Sequence, residues 1–74
     1  MKLEVGGDYK TKSGNKVEVL EVYGNTGYAI VEVLGVEKVT IIRGLEAVEN
    51  PRYICTIDGK VLFSHTTDHD IIPA

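Results

Sequence analysis

The densest group of chemically capable side chains lies near the end of this 74-residue chain. It holds two imidazoles and two carboxylates within six residues, at His65, Asp68, His69 and Asp70. Nitrogen and oxygen ligands of this kind suit zinc or nickel. His65 and His69 would converge only if the segment turned, however. The alternative is that these are polar residues following the end of a strand, whose carboxylates accept hydrogen bonds from nearby backbone amides. We expect this alternative, with no metal and no cofactor.

The side chains that could act as nucleophiles are poorly placed for catalysis. Cys55 lies within an apolar strand pattern, where a buried thiol behaves as a small hydrophobe with a raised pKa. Ser64 and His65 are neighbours, and neighbours on a strand point to opposite faces. The glycine pairs lack the spacing of a phosphate-binding loop. The sequence therefore predicts a protein that is not an enzyme.

Tyrosines beside turns are the strongest candidates for ligand binding. Tyr9, Tyr23 and Tyr28 lie at or near strand ends around two consecutive turns. Exposed aromatic rings at one mouth of a small barrel can stack on a base, a peptide or a methylated amine. The alternative is that the rings cap the core and leave their hydroxyls in water.

Cations near these tyrosines could hold an anion. Arg43, Arg52 and Lys38 could supply such contacts, or they could be solvated edge charges that deter strand pairing. A nucleotide held between chains would use Arg43, Arg52 and His65 as phosphate contacts. The predicted ligand-binding residues are therefore Tyr9, Tyr23, Tyr28, Arg43, Arg52 and His65.

The composition predicts that strands position these residues. Valine, isoleucine and threonine make up 23 of the 74 residues, against three alanines. β-branched side chains lose freedom in helices and fit a pleated surface. Turn signals recur every eight to twelve residues, as expected of a small barrel or sandwich. The predicted strands cover residues 8–12, 16–23, 28–34, 38–43, 52–57 and 60–66.

Alternation within these strands predicts which side chains are buried. The apolar phase of the second strand flips at Val19-Leu20, which predicts a β-bulge. Val39 and Ile41 are the predicted inward residues of the fourth strand. Ile42 breaks the alternation there, so we expect it on a second buried side or in an interface. The predicted buried face of the third strand consists of Ala29, Val31 and Val33.

One segment is typical of a helix. Leu45 and Val48 lie at helical spacing ahead of Pro51, which predicts one helical turn near residues 44–50, with an irregular loop as the alternative. Taken together, these patterns predict an all-β fold in one domain, residues 1–74. The predicted architecture is a small SH3-like barrel of five or six short antiparallel strands. The alternative is a flat sheet that completes its core by dimerising.

Small size predicts self-association. A chain of this length buries only about 60–65% of its unfolded surface, and one cysteine cannot form an internal disulfide. Burial between identical chains could supply what is missing. The sequence has neither the apolar run of a secretory signal nor one of membrane-spanning length, and a lone cysteine fits the cytoplasm.

The charge distribution argues against nucleic acid. The net charge is −3, and residues 17–58 carry seven carboxylates against three cations. An acidic middle repels a phosphate backbone. A small basic edge at Lys10, Lys12 and Lys16 keeps weak nucleic-acid binding open as an alternative.

Two parts of the chain are similar to known sequences. The opening pattern is Gly7-x-Tyr9-Lys10-Thr11-x-x-Gly14-x-Lys16-Val17-x-Val19-Leu20, and the close is Asp58-Gly59-Lys60 followed by Asp70-Ile71-Ile72. These features resemble short phage- and prophage-encoded β-rich proteins of unknown function. The central stretch Gly27-Tyr28-Ala29-Ile30-Val31-Glu32 resembles the Tyr-x-Ala-x-Val strand of Tudor-type barrels, which implies an SH3-like fold.

The phage resemblance implies an accessory protein in the cytoplasm of a bacterial host. Such small β-proteins include anti-defence inhibitors, some of which sequester nucleotide signals as oligomers. We therefore predict a non-enzymatic, self-associating binding module that takes a protein or a small anionic ligand. The alternatives are an oligomeric nucleotide-sequestering protein and a weak nucleic-acid-binding barrel.

Overall fold

The computed structural model describes residues 1–62 and 66–74. Within these ranges the chain forms β-strands and turns and no helix, so the predicted all-β class is confirmed. The strands are β1 (Tyr9–Thr11), β2 (Lys16–Tyr23), β3 (Tyr28–Val33), β4 (Lys38–Ile42), β5 (Leu45–Glu49), β6 (Arg52–Thr56) and β7 (Ile71–Pro73).

Five of these strands form one curled antiparallel sheet in the order β6-β3-β2-β1-β7. Residues 59–62 connect its two edges. On one side, the Leu62 amide donates to the carbonyl of Ile54 at 3.0 Å. On the other, the Ile71 amide donates to the carbonyl of Gly59 at 2.7 Å. Bridging the edges leaves few unpaired backbone groups, and the result is the predicted small SH3-like barrel.

The core lies inside this curled sheet. Ala29, Val31 and Val33 are buried, as the alternation of β3 predicts. Other chain segments contribute the rest of the buried hydrophobic side chains, which are Leu3, Tyr9, Val17, Val19, Cys55, Val61 and Ile71. Because the core residues of β3 point inward, the intervening residues of β3 point to the outer surface of the sheet.

The predicted bulge in β2 is confirmed. Val19 pairs with Val31, whereas Glu21 pairs with Ile30, so Leu20 is the extra residue. An extra residue reverses the side to which all later side chains point. Val22 therefore lies on the core side like Val19, although the two are three positions apart.

The helical turn predicted near residues 44–50 is wrong, because this segment contains strand β5. Arg43 and Gly44 have φ angles of 52° and 78° and form a two-residue turn between β4 and β5. Positive φ at both central residues is the type I′ geometry that joins hairpin strands. β4 and β5 form a separate two-stranded sheet. Val39 and Ile41, predicted to point inward, are exposed on it.

The end of the chain closes the barrel. Ile71 is buried, and β7 pairs with β1, opposite Thr11 through Tyr9. The turn predicted at Asp58-Gly59 is present, with Gly59 at a φ of 99°. The predicted strand at 60–66 lies partly outside the described residues, and its described part forms an isolated bridge from Val61 to Cys55.

The described residues contain no helix with the length and apolarity needed to span a membrane.

Candidate functional site

The outer surface of β2, β3 and β6 carries the most prominent candidate site. Tyr23 and Tyr28 are direct cross-strand partners, and Ile30 is the partner of Ile54. Cross-strand neighbours on one face lie about 5 Å apart, so the four side chains are contiguous. Glu21, the partner of Ile30, adjoins them. We call this surface the tyrosine face, and it consists of Glu21, Tyr23, Tyr28, Ile30 and Ile54.

Much of the tyrosine face is open to water. Tyr23 is 45% exposed, Tyr28 43% and Ile54 50%. The bulge at Leu20 is what brings Tyr23 to this side of the sheet, since without it Tyr23 would have the inward phase of Val17 and Val19. Two aromatic rings beside two isoleucines on a hydrogen-bonded sheet form a rigid amphipathic platform.

A hydrogen bond orients the first ring. The Tyr23 hydroxyl donates to a carboxylate oxygen of Glu21, two residues earlier on the same strand. This bond raises the pKa of the Tyr23 phenol, and desolvation and the negative charge of Glu21 raise it further. The phenol therefore stays neutral through the physiological range and remains a donor.

The charged residue that adjoins the tyrosines is a carboxylate, Glu21. Farther along the same side of the sheet, Glu18 and Glu32 are cross-strand partners. The guanidinium of Arg52 lies 3.1 Å from the Glu32 carboxylate and neutralises it in part. Lys16 and its partner Lys10 share the outward phase of Glu18, so the acidic part of this side is limited to the end nearest the tyrosines.

Tyr9 does not join the other two tyrosines. Its ring is buried, and its hydroxyl accepts a hydrogen bond from the Glu4 amide at 2.9 Å and donates to the Lys2 carbonyl at 3.3 Å. A Cβ at Gly7 would lie 2.7 Å from the ring, so the glycine permits the chain to pass closely over it. Tyr9 pairs with Val17, about 20 Å from Tyr23 along β2.

The predicted cations are spread over the molecule. Arg43 is exposed in the turn between β4 and β5, and Arg52 borders the tyrosine face. His65 lies outside the described residues. Of the six predicted ligand-binding residues, the structure thus brings together Tyr23 and Tyr28, with Arg52 at their border. In the basic edge, Lys10 and Lys16 are cross-strand partners.

A second concave surface separates the β4–β5 hairpin from the barrel. It is an open cleft of about 360 Å³, lined by Lys38, Thr40, Glu49, Asn50, Pro51, Arg52 and Tyr53. This volume falls within the usual range for small-molecule sites. Tyr53 points inward beside Val31, and its ring centre lies 5.4 Å from that of His69. Tyr53 was not among the predicted ligand-binding residues, because its alternation phase is that of a core residue.

The described part of the His/Asp cluster has structural contacts. The Val61 amide donates to a carboxylate oxygen of Asp70 at 3.0 Å, and the Ser13 amide donates to the Asp68 carbonyl at 3.1 Å. These bonds tie the segment before β7 to the barrel. Across residues 1–62 and 66–74, no three histidine, cysteine or acidic side chains converge as metal ligands would.

The single cysteine is enclosed by the core. Cys55 is fully buried between β3 and the 60–62 segment. Burial raises the pKa of its thiol to about 11, and the negative charge of Asp70 adds to the effect. The predicted raised pKa is confirmed, and the thiol remains protonated at neutral pH.

Fold and surface together define a small SH3-like barrel with an exposed aromatic face and a projecting hairpin. Comparison with family models, curated proteins and solved structures finds no match to this chain. What the chain does must therefore be argued from its own surface.

Proposed function

We propose that this protein is a non-enzymatic binding module whose tyrosine face takes a segment of another protein. The observation that carries the proposal is the cross-strand pair of Tyr23 and Tyr28, exposed beside Ile54 on a hydrogen-bonded sheet. Tyrosine supplies a large, rigid contact area at a low cost in conformational entropy, which is why binding surfaces are enriched in it.

The charges around this face favour a cationic partner. Glu21 lies next to the ring of Tyr23, whereas Glu32 is paired with Arg52 and the lysines Lys10 and Lys16 lie at the far end of the sheet. An arginine or lysine side chain could lie over a tyrosine ring and pair with Glu21 at once. An anionic ligand would meet repulsion at the same place. The expected partner segment therefore combines basic residues with aliphatic or aromatic ones that cover Ile30 and Ile54.

Selection from a displayed random-peptide library tests this function directly. Wild-type protein is the target, and Tyr23→Ser/Tyr28→Ser protein removes peptides that bind elsewhere. We expect enrichment of peptides that combine arginine or lysine with apolar residues, and at least a tenfold weaker affinity for the double variant. Lys10→Ser is the control, since Lys10 lies outside the tyrosine face. Peptides that are acidic, or that bind the double variant as tightly, would refute the proposal.

The cleft beside the hairpin favours a second candidate function, the binding of a small anion. Lys38 and Arg52 line it together with the polar groups of Thr40 and Asn50. Two cations there stand against one carboxylate of the lining, Glu49, which is the cross-strand partner of Lys38, and Arg52 also pairs with Glu32. Thermal shift against a nucleotide panel tests it, because a ligand that binds the folded state raises the melting temperature. Lys38→Ala should abolish such a shift and Lys10→Ala should retain it. Equal shifts in both variants would exclude the cleft.

An accessory role in the cytoplasm of a bacterial host is proposed from the resemblance to short phage and prophage proteins. Both candidate functions are compatible with it, since one would engage a host protein and the other a host signal. Neither depends on it, because each is argued from the surface of this chain.

A further inference from the structure

The β4–β5 hairpin exposes an unusual amount of aliphatic surface. Its five large apolar side chains are Val39 (58% exposed), Ile41 (70%), Ile42 (57%), Leu45 (74%) and Val48 (56%). Val39, Ile41 and Val48 lie on one face of the hairpin, and Ile42 and Leu45 lie on the other. Clustered exposed apolar side chains of this kind mark interaction sites.

This hairpin has little support within its own chain. β4 and β5 pack on each other and hardly at all on the barrel. A two-stranded hairpin alone is marginally stable in water and becomes stable when further strands are added. Since both of its faces carry exposed aliphatic residues, the hairpin has the composition of a buried strand pair rather than of a free one.

The free edge of β4 has backbone amides and carbonyls that another strand could pair with. Ile42 and Leu45 flank the two-residue turn and form the first hydrogen-bonded pair of the hairpin. Hydrogen-bonded and non-hydrogen-bonded pairs alternate along antiparallel strands. Val39 and Ile41 therefore turn their backbone amides and carbonyls away from β5. Within the described chain, β5 is the sole sheet neighbour of β4.

We infer that a second copy of this chain pairs with the hairpin edge to edge, with its β4 antiparallel to β4 about a two-fold axis through Thr40. Val39 then lies opposite Ile41 of the second copy, and their outward backbone groups bond each other. The two hairpins become one four-stranded sheet. Such an isologous contact closes after two copies, whereas pairing of β4 with β5 of another copy would continue into a filament.

Charge distinguishes this arrangement from pairing through β5. The proposed register brings Glu37, just before β4, towards the end of β4 in the second copy, where Arg43 begins the turn, and this approach occurs twice. Pairing through β5 would instead gather Glu46 and Glu49 from both copies, with no cation on either strand. Like charges in one small sheet are destabilising. The free edge of β4 is therefore the favoured one.

The proposed dimer would place the clefts of its two copies side by side. Thr40 lies on the proposed axis and lines the cleft between hairpin and barrel. The clefts of two copies would therefore adjoin. The tyrosine face takes no part in this contact, so self-association and partner binding can fail independently.

Matched proline variants test the inference. Val39 and Val48 are cross-strand partners, and both have outward amides, so proline at either position removes no bond within the hairpin. By analytical ultracentrifugation we expect dimers of wild type and Val48→Pro, and a dissociation constant at least tenfold higher for Val39→Pro. A monomeric wild type at its highest soluble concentration, or dissociation of Val48→Pro alone, would overturn the inference.

A crosslink tests the two-fold axis without disturbing the backbone. In the proposed dimer, residues at position 40 are non-hydrogen-bonded partners, about 4.5 Å apart at Cα, which suits a disulfide. Thr40→Cys should form a covalent dimer on mild oxidation, whereas Ala47→Cys, its partner on β5, should not. Buried Cys55 leaves the assay unaffected. Crosslinking of Ala47→Cys but not Thr40→Cys would contradict the register.

Discussion

The Tyr23 hydroxyl donates a hydrogen bond to the carboxylate of Glu21, and this bond ties the exposed aromatic pair to the acidic surface around it. The carboxylate stabilises the neutral phenol and repels the phenolate, which raises the pKa of Tyr23. The same carboxylate is where the proposed partner would place a cation. In the proposed function, aromatic contact area and selectivity for a cation would therefore come from two residues on one strand.

Replacing this carboxylate should lower the pKa of Tyr23. In Glu21→Ala both the accepting oxygen and the negative charge are lost, so the phenol should titrate closer to the ordinary value of 10.0. Ultraviolet pH titration gives the tyrosinate signal, and Tyr23→Phe identifies which part of it belongs to Tyr23. Glu18→Ala is the control, and we expect it to change the midpoint less. An unchanged Tyr23 midpoint in Glu21→Ala would show that the hydrogen bond does not persist in solution.

Deleting Leu20 should remove the bulge and leave the barrel folded. Without the extra residue, Glu21 follows Val19 directly and keeps Ile30 as its partner, so Glu21 and Tyr23 keep the outward phase and Val22 the inward one. The half-buried Leu20 side chain and the local bend of the bulge are lost, which should lower the free energy of unfolding by about 1–3 kcal/mol, less than the whole stability of a small domain. Chemical denaturation followed by circular dichroism measures the loss.

The control for this deletion is Leu20→Ala, which keeps the bulge and removes one half-buried side chain. We expect it to fold and to lose about 1–2 kcal/mol. A deletion variant that unfolds while Leu20→Ala folds would contradict the assignment of Leu20 as the extra residue of β2.

Gly59 should tolerate no side chain. Its φ is 99°, and an added Cβ would lie 2.5 Å from the carbonyl oxygen of Ile71, whose amide bonds Gly59 in turn. Gly59→Ala should lower the free energy of unfolding by about 3 kcal/mol or more, through backbone strain and overpacking. Gly24→Ala is the matched control, because nothing lies within 4 Å of its added Cβ. A similar small effect at both sites would show that the closure at Gly59 is loose.

Cys55 should make stability fall at high pH. Below the ordinary thiol pKa of 9.0 the folded and unfolded states are both protonated, so the stability contribution is fully present. Between there and the folded-state pKa of about 11, the unfolded chain ionises first. The free energy of unfolding should therefore drop by about 1.4 kcal/mol per pH unit. Denaturation across this range gives the slope for wild type and for Cys55→Ala, and equal slopes would contradict a buried thiol.

The barrel could be predicted from the sequence because its strands have one buried side. Alternation identified Ala29, Val31 and Val33 as core, and the phase change at Val19-Leu20 identified the bulge. These signals are local, and burial of one face enforces them.

The hairpin could not be predicted in this way. Both of its faces carry apolar residues, so apolar and polar residues do not alternate along its strands. Leu45 and Val48 are also three positions apart, which is a helical spacing. The first central residue of its type I′ turn is Arg43. Asparagine or aspartate before glycine is the usual sequence signal of such a turn. In the proposed dimer, contact with a second copy rather than with the chain's own core would account for this composition.

Of the three tyrosines predicted to bind a ligand, two lie together in the candidate site and Tyr9 does not. Tyr9, Tyr23 and Tyr28 are alike in type and all lie near turns. Which ring is buried depends on the close passage of Gly7 over Tyr9, a contact that spacing along the chain does not reveal.

The most direct test of the tyrosine face is a nuclear magnetic resonance titration. Labelled protein is titrated with a selected peptide that combines arginine and aliphatic residues. The account predicts that amide shifts concentrate at Tyr23, Tyr28, Ile30 and Ile54, and that Tyr23→Ser/Tyr28→Ser abolishes them. Shifts confined to the cleft or the hairpin, or unchanged shifts in the double variant, would contradict it.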